Sequence, residues 1–167
     1  SRYRSGGRWM NCVKFKSSRY AECDNRSIIV CKENGKKYVL ENSFKEEICK
    51  IKIDKGYISL NVELCDYLVV ICAKNIAIFV ELKGVEFEKA CSQLLSTIQL
   101  FISDIKRSGC IVLGRIVGRT IPDIPGTNQR KLKKFLKKLN KNKAIKCKGF
   151  DKKSKEFKEK VSKIIAW

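Results

Sequence analysis

Cys65-Asp66-Tyr67-Leu68-Val69-Val70-Ile71-Cys72-Ala73, then Lys74-Asn75, then Ile76-Ala77-Ile78-Phe79-Val80-Glu81-Leu82-Lys83-Gly84 fixes the architecture expected of this chain. Two β-branched, apolar runs flank a short polar turn, which predicts an antiparallel hairpin. Both runs are apolar on both faces, so both strands are expected at the centre of a sheet. With the turn centred on Lys74-Asn75, Asp66 lies across from Lys83 and Leu68 across from Glu81. Strand side chains alternate faces, so Asp66, Glu81 and Lys83 project from one face as near neighbours. Charges gathered at the end of a buried hairpin are costly to desolvate and call for a partner or a metal.

Outward from the hairpin, residues 86–106 repeat apolar side chains at the helical period (Phe87, Ala90, Cys91, Leu94, Leu95, Ile98, Phe101, Ile102, Ile105), with Gln93 and Thr97 flanking the stripe. Ser108-Gly109 stops that helix, and the continuous apolar run Cys110–Val117 predicts a buried parallel strand. Upstream, Asn34-Gly35 between two short strand patterns predicts a second hairpin over residues 27–40. Asn42-Ser43 is expected to cap a helix from Phe44 to Lys52, with Glu47 on its apolar stripe, and residues 53–60 a turn carrying Asp54 and then a strand. The predicted order is therefore helix, three strands, helix, strand: an α/β, αβββαβ core with a mixed central sheet flanked by helices. An N-terminal β-hairpin precedes it and a basic, helical C-terminal tail follows. The expected division is a basic arm over residues 1–26, a core over 27–128 and a basic extension over 129–167.

Asp66 followed at hairpin distance by Glu81-Leu82-Lys83 resembles the PD-(D/E)XK nuclease superfamily, the restriction-endonuclease-like enzymes. The likeness covers residues 54–119 and continues through Gly84 into the helix bearing Gln93. It departs from the pattern at Cys65, which stands where the proline that names the motif is expected. The resemblance implies a metal-dependent endonuclease that hydrolyses phosphodiester bonds in DNA, in restriction, antiviral defence or repair. Asp66 and Glu81 would then be Mg²⁺ ligands, with the Leu82 carbonyl a third and Mn²⁺ able to substitute. Lys83 would act on the attacking water and Gln93 would stand beside the site. A further acid from the N-terminal part of the core is expected, Asp54 ahead of Glu47. The competing reading is a catalytically silent nucleic-acid-binding or assembly subunit of the same fold.

The 167 residues carry a net charge of +20 and no histidine. Lack of histidine excludes Ser-His-Asp and Cys-His catalysis and removes the commonest zinc ligand. So basic a chain favours polyanions. From Arg130 it becomes intensely basic, and Lys131, Lys133, Lys134, Lys137 and Lys138, with Arg115 and Arg119, are the expected phosphate contacts. Leu132, Phe135, Leu136 and Leu139 give the same segment an apolar stripe, which also suits an anionic bilayer. DNA is the favoured partner over RNA and over a membrane. One site cuts one strand, so double-strand cleavage would call for a homodimer or a larger defence or repair complex. Arg2, Tyr3, Arg4, Arg8 and Trp9 suit backbone contact and base stacking. The nine cysteines show no C-x-x-C pair, and are expected to be reduced, buried small hydrophobes of a cytoplasmic protein.

Overall fold

The computed structural model describes residues 12–82 and 86–165. Lys83, Gly84, the arm residues Arg2 to Trp9 and the terminal Trp167 lie outside them. A six-stranded mixed sheet forms the middle layer, in the order β1 (Ala21–Asp24), β4 (Ile48–Lys52), β5 (Tyr67–Ile71), β6 (Ile76–Glu81), β7 (Ile111–Val117) and β8 (Phe150–Lys153). The two apolar runs of the hairpin are indeed its central strands. Every residue of β6 is buried, because alternate side chains enter two different cores. Ala77 and Phe79 join one, packed beneath α1 (Phe87–Leu100), α2 (Ile102–Ser108) and α3 (Thr127–Leu139). Ile76, Ile78 and Val80 join the other, beneath a three-stranded sheet of β2 (Ile28–Glu33), β3 (Lys36–Glu41) and β9 (Glu156–Lys160). A short α4 (Val161–Ile164) closes that side.

Several local expectations hold. The β2–β3 hairpin turns at Asn34-Gly35, both at positive φ (50° and 73°), as a two-residue hairpin turn requires. Gly109 ends α2 in the left-handed region at φ 66°, its N–H donating to the Ile105 carbonyl at 2.9 Å. The β7 strand runs parallel to β6, from Ile76↔Ile111 to Glu81↔Ile116. The helix read over 86–106 is interrupted at Phe101 (φ −100°, ψ 7°), which separates α1 from α2.

Four expectations are corrected. Residues 48–52 form β4, not a helix: Ile48 and Ile51 face opposite cores, and the segment pairs with both β1 and β5. Its apolar spacing fits a helix, but pairing with two strands overrides that preference. The expected strand over 57–60 is reduced to one bridge, Asp54↔Ile58. The C-terminal extension is only partly helical. After α3 it adds β8 to the central sheet and β9 to the second, and the latter pairs parallel with β3 from Lys37↔Glu156 to Glu41↔Lys160. Finally, Cys12–Cys72 and Cys23–Cys49 are disulfides, whereas Cys31, Cys65, Cys91, Cys110 and Cys147 are free. Cys23 and Cys49 meet because β1 and β4 place them directly opposite, a long-range pairing that spacing does not reveal. Among the described residues no helix is long and apolar enough to cross a membrane.

Candidate active site

The hairpin register is Tyr67↔Val80 through Ile71↔Ile76, closed by a loop over residues 72–75 in which Asn75 takes positive φ (56°). The register expected from a turn centred on Lys74-Asn75 is thus off by two residues. Extending the observed one sets Asp66 beside Glu81 rather than Lys83. Because a slip of two preserves the face, the acidic pair stays together. Asp66 stands just ahead of β5, its N–H donating to the Val80 carbonyl at 3.1 Å and its own carbonyl accepting from the Ile53 N–H at 2.9 Å.

Asp66 is 7 % exposed and Glu81 fully buried. The Leu82 N–H donates to Asp66 Oδ2 at 2.8 Å, and Lys52 Nζ lies 3.8 Å from Asp66 Oδ1. Burial pushes the Asp66 carboxyl above the usual aspartate range, while the Leu82 N–H, Lys52 and Glu81 pull the other way. Lys52 also binds Glu33 at 3.1 Å and lies 5.0 Å from the centre of the Tyr67 ring. Burial disfavours its ammonium, but the Glu33 hydrogen bond and the Asp66 and Glu33 charges outweigh that and hold its pKa above the usual range. Beneath the pair, Thr97 Oγ1 accepts from the Cys65 N–H at 2.8 Å and donates to the Gln93 carbonyl at 2.7 Å. Burial pushes the Cys65 thiol well up, and the Glu81 charge adds to the shift.

The expected residues therefore separate. Asp66, Glu81 and Leu82 come together, while Gln93 (6 % exposed) lies on α1 one turn before Thr97, whose hydroxyl accepts from the Cys65 N–H. Asp54 follows Ile53, which is bonded to the Asp66 backbone, and so lies close along the chain. Glu47 does not join them. Its carbonyl accepts from the Cys72 N–H, at the far end of β5, and its carboxylate pairs with Lys16 at 2.8 Å. Lys83 is one residue beyond Leu82 but outside the described residues. Lys52, Glu33 and Thr97 were not expected; the lysine was hidden because its strand reads as a helix.

The expected phosphate contacts also divide. Arg115 does not belong among them: at 1 % exposure it is committed to Glu159, with Nε 2.8 Å from Oε2, and is withdrawn from solvent. Arg119 is exposed just past the end of β7. Lys131, Lys133, Lys134, Lys137 and Lys138 are all exposed on α3, whose buried face is Gln129, Leu132 and Leu136. Lys133, Lys134 and Lys137, with Lys141, Lys148 and Lys152, line a groove of about 850 Å³ between α3 and β8. The N-terminus of α3 is held from α1: the Glu88 carboxylate accepts from the Asn128 and Gln129 N–H groups at 2.8 and 3.1 Å. Comparison of the chain with protein-family models, curated proteins and solved structures found no match to any of them.

Proposed function

We propose that this protein is a metal-dependent nuclease that hydrolyses phosphodiester bonds in DNA. The observation that carries the reading is the Asp66–Glu81 pair, two buried carboxyl residues that the hairpin register sets beside one another at the end of the central strands. Two carboxylates so close repel one another unless a proton or a cation lies between them, and an all-oxygen donor set suits a hard cation. Mg²⁺ therefore fits Asp66 and Glu81, with the Leu82 carbonyl as a further oxygen and Asp54 the nearer of the two additional acids. When bound, Mg²⁺ would supply a more acidic water and neutralise charge developing on the phosphate.

The remaining work falls to the chain. The Leu82 N–H orients Asp66, while Lys52 and Glu33 limit its movement from the other side. Thr97 fixes the Cys65 backbone and so the approach of Asp66 to the strand. Lys83 follows Leu82 directly; as a free amine it would take up the proton of the attacking water, and as an ammonium it would balance the charge that builds on the phosphate. The exposed lysines of α3, with Arg119, would hold the nucleic-acid backbone without reading sequence.

The test is incubation of the purified protein with supercoiled plasmid, single-stranded DNA and RNA in Mg²⁺, Mn²⁺ or EDTA. DNA cleavage in Mg²⁺ that EDTA stops, and that Asp66→Ala, Glu81→Ala and Lys83→Ala each abolish with circular dichroism unchanged, is expected. Wild-type cutting by Glu81→Ala would overturn the assignment. Salt-sensitive DNA binding without cleavage would favour a silent nucleic-acid-binding subunit.

A further inference from the structure

At the opposite end of β5 from Asp66, the two disulfides stand against one another. The Sγ atoms of Cys12, Cys49 and Cys72 lie within 4.8 Å of each other, although Cys12 and Cys72 belong to one disulfide and Cys49 to the other. All three residues are buried, and Cys23 adds a fourth sulfur through its bond to Cys49. The four come from separate segments: the chain ahead of β1, β1 itself, β4 and the β5–β6 loop. Cross-linking alone requires no contact between two disulfides. A single centre drawing one donor from each segment does require it.

The donor set is all sulfur, which selects zinc over the hard cations that suit the acidic pair. Four sulfurs at about 2.3 Å from a tetrahedral zinc are about 3.8 Å apart. Three of the sulfurs already lie within 4.8 Å of one another and Cys23 stands directly across from Cys49 in the sheet, so once both S–S bonds open, side-chain rotation can spread the four sulfurs around one ion. We propose that the reduced protein binds one Zn²⁺ through Cys12, Cys23, Cys49 and Cys72, and that the two disulfides are the oxidised form of the same centre.

The chemistry balances with a dithiol as reductant. Each S–S bond accepts two electrons and two protons and becomes two thiols, while one dithiol becomes a disulfide. Two such steps give four thiols, and Zn²⁺ displaces their four protons to form a tetrathiolate of charge −2. Two equivalents of peroxide, each taking two electrons and two protons to give two waters, remove the four electrons, re-form the two S–S bonds and release the ion. The chain's net charge of +20 favours retention of a local dianion. This proposal is independent of the nuclease reading.

The test uses the full chain, reduced with a metal-free phosphine, freed of reductant and titrated with Zn²⁺ against a chromophoric chelator. Binding of one zinc per chain is expected, with Co²⁺ giving the thiolate charge-transfer and ligand-field bands of a tetrahedral sulfur site. Peroxide should release the metal, and peptide mapping should then recover Cys12–Cys72 and Cys23–Cys49. Cys49→Ser should lose stoichiometric zinc, whereas Cys147→Ser should retain it. If Cys49→Ser does not fold, Cys12→Ser, which lies outside both sheets, supplies the same comparison. Failure of the reduced wild-type protein to take up zinc, or equal uptake by the Cys12 and Cys147 variants, overturns the proposal.

Discussion

Removing the guanidinium of Arg115 should cost this fold more than almost any other single truncation. Arg115 lies in β7 and its partner Glu159 in β9, so the pair bridges the central sheet to the three-stranded one. Its Nε reaches Glu159 Oε2 at 2.8 Å, and Nη1 donates to the Gly114 and Gly149 carbonyls at 3.0 and 3.3 Å. Tyr38 donates to the same Oε2 at 2.6 Å, and the Phe157 ring centre lies 5.4 Å from the guanidinium. In Arg115→Ala the Glu159 carboxylate, 12 % exposed, retains the Tyr38 hydroxyl but loses the charge that balances it. Breaking a buried pair in this way costs about 3–5 kcal/mol, roughly a third of a typical domain's stability. At about 2–4 °C per kcal/mol for a chain of this size, Tm should fall by about 6–20 °C. Urea denaturation with the disulfides intact measures the change directly, through the midpoint at constant slope. Replacing Arg115, Glu159 and the Tyr38 hydroxyl together, as Arg115→Met with Glu159→Leu and Tyr38→Phe, should recover most of the loss, since neither an uncompensated charge nor the Tyr38 donor remains. A loss below about 1 kcal/mol in Arg115→Ala, the range of exposed pairs, would refute the reasoning.

Asp66→Asn should raise stability near neutral pH. The folded pKa of Asp66 lies above its unfolded value, so its contribution is greatest below the unfolded pKa and is lost as pH rises through the folded one. The variant should flatten the decline in Tm over that acidic window, and an unchanged pH profile would count against it. Replacing Lys133, Lys134, Lys137 and Lys138 with glutamine should weaken DNA binding for all sequences alike. The log–log salt slope should flatten by roughly 0.9 for each phosphate that is no longer neutralised; an unaltered slope in a filter-binding or fluorescence titration would remove α3 from the interface.

The central hairpin and β7 are legible in the sequence because their apolar runs serve two cores at once, and Asn34-Gly35 announces its own turn. The register is not, because the loop spans four residues and closes through Asn75 at positive φ, a conformation several spacings would allow. Ile48 and Ile51 satisfy helical spacing as readily as a strand packed on both faces, so β4 becomes recognisable only with β1 and β5 beside it. Strands β8 and β9 each carry one buried aromatic, Phe150 or Phe157, amid lysines, a pattern in which alternation is nearly invisible. At the acidic pair, Asp66 and Glu81 are readable from strand chemistry. Lys52 is not, because it arrives through tertiary pairing, and neither are the disulfides. Arg115 misleads for a related reason: a cation in a basic chain suggests a surface, whereas an acid 44 residues later draws it inward.

The parallel pairing of β3 with β9 also imposes an order of assembly. The β2–β3 hairpin forms from neighbours, but the strand that completes its sheet is separated from it by most of the chain. Until that strand arrives, Lys37 to Glu41 present an unsatisfied edge, and the apolar faces of Tyr38 and Leu40 lack the cover that Phe157 and Val161 provide. Such distant closure is slow and leaves an intermediate prone to intermolecular strand addition. During synthesis the growing chain therefore carries this edge open until β9 emerges, and a chain cut after α3 would carry it permanently.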